Sequence, residues 1–256
     1  MVDATLDRPL LKGAPRALAI LDYGFFRVHS GPRDIGIQGA LVETDAGERV
    51  LIDTGFPPKY AEDFAAASAE DGLGAFGEVL HLGPDNLPAA QLLRLGVSPD
   101  QIDLLVLTHT HIDHVGGLDL ASEAPCLIAA AERKLPKPLY WGDAQPLDWP
   151  NREYLLVTGD RELGPGFEVL FTPGHAPGQL SLWLTLPETG PILFTSDAIS
   201  RPSEVGEGFA GAWDPGLAVH HASRILMRAA RENATVIYGH CPEQWPSLRK
   251  APERYL

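Results

Sequence analysis

The run Thr108-His109-Thr110-His111-Ile112-Asp113-His114 sets three imidazoles and a carboxylate almost side by side, and Val115-Gly116-Gly117 follows it. Imidazole nitrogens and carboxylate oxygens are the donor atoms that zinc and related divalent metals take. The run comes straight after the apolar Leu104-Leu105-Val106-Leu107, so a buried strand would deliver His109, His111, Asp113 and His114 onto one tight loop. Three more donors each follow an expected strand: His175 in Thr172-Pro173-Gly174-His175, Asp197 in Phe194-Thr195-Ser196-Asp197, and His240 in Tyr238-Gly239-His240. Strand ends bring side chains to a common sheet edge. Five imidazoles and two carboxylates exceed the three or four ligands of a single zinc. The count therefore points to two divalent metal ions, each with four protein ligands if one carboxylate bridges. Two such ions roughly 3.5–4 Å apart can share a hydroxide near neutral pH and polarise a carbonyl. That chemistry suits opening a lactone or cleaving an ester, with no serine nucleophile required.

Positioning those donors takes a succession of short elements. Apolar stretches over 17–28 and 36–44 read as strands, and Asp45-Ala46-Gly47-Glu48 turns the second into 49–53 as a hairpin. The alanine-rich 58–68 and the leucine-bearing 86–95 read as helices, the second stopped by Gly96. A buried strand is expected over 102–108. Short strands follow over 126–130, 154–157, 167–172, 180–186, 192–196 and 235–238. A long helix over 215–231 precedes the last of these, with Asp214 as N-cap and Pro215 in its first turn. Strand-rich halves accompanied by helices predict an α/β sandwich of two sheets faced by helices, in a single domain spanning residues 1–256. Residues 135–152 lack periodicity and read as a loop. Its Tyr140, Trp141 and Trp149 are candidates for a pocket wall or a homodimer contact, and Tyr23, Phe25 and Phe26 for a pocket wall or the core.

Net charge narrows the function. With 20 Lys and Arg against 34 Asp and Glu the chain carries −14, which repels nucleic-acid backbones and anionic lipid surfaces; neither partner is expected. The two cysteines, Cys126 and Cys241, have no metal-type or redox-type spacing and read as free thiols. Near the N-terminus acidic residues come first, and the apolar run Ala17–Leu21 is far shorter than a signal h-region or a membrane span. A cytoplasmic protein is the expectation.

The chain resembles the metallo-β-lactamase superfamily and, within it, the dinuclear-zinc lactonases that include N-acyl homoserine lactonases. The matching residues are Leu51-Ile52-Asp53-Thr54-Gly55, the His109–His114 run, Thr172-Pro173-Gly174-His175-Ala176-Pro177-Gly178, Ser196-Asp197-Ala198, Phe209-Ala210-Gly211-Ala212-Trp213-Asp214-Pro215, and Gly239-His240 running into Glu243-Gln244. The resemblance implies an αββα sandwich and two zinc ions. One would be held by His109, His111 and His175, the other by Asp113, His114 and His240, with Asp197 bridging. It implies hydrolysis of a small-molecule lactone by quorum quenching; a thioester, a phosphodiester or a β-lactam is the alternative substrate within the superfamily, and a protein that kept the fold without the activity is the non-enzymatic one. Two positions depart from the pattern: Gln179 stands where a second histidine is common, and Ser200 where many acyl-homoserine lactonases have a tyrosine that helps hold the substrate carbonyl. Tyr23 is the candidate replacement donor.

Asp113 has two open roles, ligation alone or ligation with proton transfer to the leaving oxygen. Asp53 either orients a ligand histidine or stabilises a turn. His220 and His221 read as ordinary helix residues, and Cys241 as a small buried hydrophobe.

Overall fold

The computed structural model describes residues 2–139 and 145–256. Tyr140 and Trp141 lie outside the described residues.

Eight strands form the first sheet: β1 (Val2–Thr5), β2 (Pro15–Val28), β3 (Arg33–Thr44), β4 (Arg49–Ile52), β5 (Gly77–His81), β6 (Leu104–Val106), β7 (Cys126–Ala129) and β8 (Glu153–Val157). Their order is β1-β8-β7-β6-β4-β3-β2-β5. The half from β5 to β4 is antiparallel and the half from β4 to β1 is parallel. The second sheet holds β9 (Arg161–Gly164), β10 (Phe167–Phe171), β11 (Leu180–Leu186), β12 (Gly190–Phe194) and β13 (Thr235–Ile237), in the order β13-β12-β11-β10-β9.

Three apolar layers follow from the twofold alternation of side chains along strands. Ile20, Ala40, Val42 and Ile52 of the first sheet meet Leu182, Leu184, Ile192 and Phe194 of the second to form the central core. Leu21, Ile37, Leu41 and Leu51 point to the other face of the first sheet, beneath helices α1 (Lys59–Glu62), α2 (Phe64–Asp71) and α3 (Pro88–Leu93). Two single-turn helices, α4 (Ile112–Val115) and α5 (Ala130–Arg133), follow the ends of β6 and β7, and α6 (Glu204–Glu207) follows the second sheet's β12. Helix α7 (Pro215–Glu232) lays Ala218, Ala222, Ile225 and Ala229 against Leu170, Trp183 and Leu193 on the outer face of the second sheet. The layers run helix, sheet, sheet, helix, the expected αββα sandwich. Among the described residues no helix is long and apolar enough to cross a membrane.

Several elements differ from the sequence-based expectation for local reasons. The helix expected over 58–68 is two helices, broken at Asp63, which is extended (φ −151°, ψ 91°) and caps α2 by accepting from the amides of Ala65 and Ala66. A capping aspartate starts a helix more readily than it continues one. The helix expected over 86–95 is confined to α3, because Leu87 precedes Pro88 and is extended, as pre-proline residues prefer. Strands β1, β5 and β9 were not expected. All three lie at sheet edges, where one side of the ladder has no partner and the apolar pattern is weak. The helix expected over 215–231 is α7: Asp214 caps its first turn by accepting from the Leu217 amide, and Asn233, at a left-handed φ of 53°, ends it.

The paired glycines after the histidine-rich run serve close approach. A Cβ on Gly116 would stand 2.0 Å from the carbonyl carbon of Phe56 and from the nitrogen of Pro57, and the Gly116 amide donates to the carbonyl of Gly55 at 2.7 Å. Gly116→Ala is therefore expected to force backbone apart at a cost of about 1–3 kcal/mol and to lower the melting temperature by roughly 2–10 °C. Gly159→Ala, with nothing within 4 Å of its added Cβ, should leave melting unchanged. Equal melting of both variants and the parent would show that the 55–57 and 114–117 segments are not locked together.

Candidate metal centre

All seven expected donors converge at one edge of the sandwich. Three groups have every ligand atom within 4.8 Å of the others: His109, His111 and His175; His109, His114 and Asp197; and Asp113, His114 and His240. The Asp197 carboxylate lies between them. Its Oδ2 is 3.3 Å from His175 Nε2, while its Oδ1 is 3.4 Å from His114 Nε2 and 3.0 Å from His240 Nε2. Asp113 Oδ2 is 3.5 Å from the Nε2 atoms of both His114 and His240.

Each strand end supplies its donors with the rings already aimed. Asp53, just after β4, holds a left-handed φ of 57°. Its Oδ1 accepts from the Thr108 amide at 2.8 Å, and its Oδ2 accepts from the Thr108 hydroxyl at 2.7 Å and from His114 Nδ1 at 2.8 Å. A carboxylate only accepts, so Nδ1 of His114 carries a proton and Nε2 is the nitrogen turned toward the cluster. The Thr108 hydroxyl spends its single proton on Asp53, so it accepts from His109 Nδ1 (3.2 Å) and from the Ser196 hydroxyl (2.9 Å). His109 Nε2 is thereby left as an acceptor. His240 Nδ1 donates to the carbonyl of Gly36 at 2.9 Å, which again leaves Nε2 open toward the cluster. Asp53 orients ligand-type histidines, which decides between its two expected roles.

His175 depends on α7. The Asp214 amide donates to the Gly174 carbonyl at 2.8 Å and the Trp213 amide to the His175 carbonyl at 3.2 Å. Gly174 has a φ of 149°, and a Cβ there would meet the backbone of Ala218 at 2.4 Å. Sequence reasoning missed Glu132, fully buried just beyond β7. It accepts from the Thr110 hydroxyl at 2.6 Å and from the Gly178 amide at 2.8 Å, tying the loop of His109 and His111 to the loop of His175. Its signal was a lone acid closing the apolar run Cys126-Leu127-Ile128-Ala129-Ala130-Ala131, at a strand end like the other ligand-bearing positions.

The electrostatics favour a cation. Burial opposes protonation of these rings and prevails at His109, which is held well below the ordinary imidazole range, and at His175, held at about 3. At His114 burial is outweighed by Asp113, Asp53 and Asp197, which push the ring up to about 10; at His240 it is outweighed chiefly by Asp197, which raises it to about 9. Burial likewise opposes charge on Asp197, yet His240, His114 and His175 hold its carboxyl well below its usual range. Charged carboxylates thus draw positive charge into the cluster. His109 Nε2 and His114 Nε2 are buried without a hydrogen-bond partner among the described residues, and orphaned polar atoms of this kind cost about 1–3 kcal/mol each. These atoms face a common centre, and the donor set fits a divalent metal ion.

A cavity of about 570 Å³ opens onto the cluster, within the range of small-molecule sites. His111, Asp113, His175, Asp197 and His240 form its polar end; Phe26, Ile35, Phe56, Leu73 and Phe76 line its apolar wall. Ser200 and Trp213 also border it. Of the aromatics expected near a pocket, Phe26 alone lines it among the described residues. Tyr23 is fully buried, and its hydroxyl donates to the Asp53 carbonyl at 3.2 Å, so it is no substrate donor. Phe25 packs edge-on against Trp245. Trp149 packs against the outer core, with its indole N–H on the Leu135 carbonyl. Gln179 is fully buried and donates to the Leu180 carbonyl. His220 and His221 meet edge-on on α7, and among the described residues neither joins a ligand group, nor does Cys241.

Comparison with known proteins gives a consistent relationship. The model of the metallo-beta-lactamase superfamily matches residues 38–240. The N-acyl homoserine lactonase AiiA of Bacillus thuringiensis subsp. kurstaki is 31% identical over 222 residues, covering 83% of this chain and 84% of that protein. The N-acyl homoserine lactonase AttM of Rhizobium radiobacter is 30% identical over 181 residues, covering 64% of this chain and 68% of that one. A solved N-acyl homoserine lactone hydrolase, with the product N-hexanoyl-L-homoserine at its catalytic metal centre, superposes with a TM-score of 0.81 at 26% identity, over 94% of this chain and all of that one.

The hydrogen bonds of Asp53 generate a direct test. Asp53→Asn keeps an oxygen for the Thr108 amide but turns an N–H₂ toward His114 Nδ1, which forces that ring's proton onto Nε2. Retention of metal, read by competition with a chromogenic chelator, should weaken about 10- to 100-fold. Unchanged retention would show that Asp53 serves only its turn.

Proposed function

Because this chain belongs to the metallo-β-lactamase superfamily, we propose that it hydrolyses the ring ester of N-acyl homoserine lactones, a quorum-quenching reaction. The observation that carries this reading is the juxtaposition of a seven-donor cluster with an apolar cavity wall, in a chain similar over most of its length to N-acyl homoserine lactonases. The substrate has the same two parts, a polar ring and an apolar arm.

His109, His111 and His175 would hold one divalent ion, Asp113, His114 and His240 a second, and Asp197 would face both through its two oxygens. Zinc suits this mixture of imidazole and carboxylate. Bound there, the ions supply Lewis acidity and a source of hydroxide at neutral pH. The remaining work belongs to the chain. Asp53, the Thr108 hydroxyl and the Gly36 carbonyl keep the Nε2 lone pairs of His114, His109 and His240 aimed inward. The apolar wall seats the acyl arm and displaces water from it. Asp113, whose carboxylate borders the cavity, takes the role of proton carrier: it accepts the proton released as the oxygen of the attacking water bonds to the ring carbonyl carbon, and passes that proton to the ring oxygen as the ester C–O bond breaks, yielding a free hydroxyl and a carboxylic acid that ionises at neutral pH. Two buried, unpaired cysteines fit action in the reducing cytoplasm.

Incubation of the metal-loaded protein with an N-acyl homoserine lactone should yield the ring-opened acid, seen by mass spectrometry as addition of one water. Asp197→Asn should lower kcat/KM by more than about a hundredfold, beyond what loss of an outer partner causes, while His220→Ala leaves it unchanged. An intact lactone after exposure to the loaded protein, or equal losses in both variants, would overturn the assignment.

A further inference from the structure

One group on the cavity wall has no part in the chemistry described so far. Arg33 opens β3 and lines the cavity together with Val28 and Ile35. It is half-buried, and its described hydrogen bonds use Nη1 alone, donating to the carbonyls of Ser30 and Gly31 at 3.2 Å each. No ion pair involves it among the described residues. Arg201, the other guanidinium bordering the same cavity, is neutralised by Glu204 at 3.2 Å and by Glu207. A half-buried guanidinium with donors to spare, beside an apolar wall and in a chain of net charge −14, is poorly explained by packing. Guanidinium N–H groups form strong, directional bonds to oxygen acceptors.

Its place along β3 indicates which part of a substrate it would meet. Gly36, three residues further on, receives the bond from His240. Extended backbone therefore puts the Arg33 Cα about 10 Å from the strand's contact with the ligand cluster. Arg33 thus stands beside Val28 and Ile35, level with the apolar wall that would seat the arm. We propose that Arg33 is a specificity-determining residue: its guanidinium donates to a carbonyl oxygen on the acyl arm, so that the site selects lactones carrying an N-acyl amide over plain alkyl lactones. This inference rests on the lactonase reading above.

The test compares two substrates on the metal-loaded enzyme, an N-acyl homoserine lactone and a γ-alkyl lactone of matched length, which offers the same ring ester without the amide. Arg33→Met keeps much of the side chain's length and removes the donors. It should lower kcat/KM on the N-acyl lactone about 10- to 100-fold, the effect of losing a hydrogen bond from a charged donor, and leave the alkyl lactone unchanged. Arg33→Lys, which keeps the charge and loses the fork, should fall between. Equal losses on both lactones at unchanged melting temperature, or no loss on either, would overturn the proposal. If wild type opens neither lactone, the lactonase reading fails instead.

Discussion

The carboxylate of Asp53 is the interaction on which the centre depends. With two oxygens it takes the amide and hydroxyl of Thr108 and Nδ1 of His114, and through the Thr108 hydroxyl it sets the tautomer of His109. Two of the proposed ligands are therefore aimed by one buried group that touches neither the cavity nor a substrate. Its left-handed backbone is unusual for a residue with a Cβ. The strain is tolerated because the turn is held from every side: the Asp53 amide donates to Val106, the Thr54 amide to His114, and Tyr23 reaches the Asp53 carbonyl. Tyr23 thus serves the centre from behind rather than from within the cavity.

Around that anchor the fold acts as a clamp. The loop from His109 to His114 is braced by Asp53 on one side and by Glu132 on the other, and Glu132 also grips the loop of His175 through Gly178. Helix α7 closes on that same loop from outside the second sheet, and β3 holds His240 through Gly36. Four separated stretches of chain meet at one sheet edge, and each is fixed by hydrogen bonds from a neighbouring segment. Concentrating this many like donors in a buried space is unfavourable in itself, so the surrounding scaffold, rather than the cluster, must hold the arrangement.

Much of this was legible in the sequence because ligand chemistry is restricted to a few residue types and strand ends are marked by apolar runs. His109, His111, Asp113, His114, His175, Asp197 and His240 all stood out on those grounds, and all seven come together. What escaped was relational. Glu132 is an ordinary acid until β7 brings it against Thr110 and Gly178. Arg33 is one of many basic residues until the strand register sets it on the cavity wall. The cavity itself is assembled from Phe26, Phe56, Leu73 and Phe76, residues from separate segments whose spacing has no common period. Tyr23 was misplaced for the converse reason: a phenol on the first long strand can face either side, and only the buried contact with Asp53 shows which.

If the seven donors form two cation sites sharing one carboxylate, anomalous diffraction from crystals of the zinc-loaded protein will show two zinc peaks, one among His109, His111 and His175 and the other among Asp113, His114 and His240, with Asp197 between them. A single fully occupied peak, or zinc bound outside this cluster while the cluster stays empty, would contradict it.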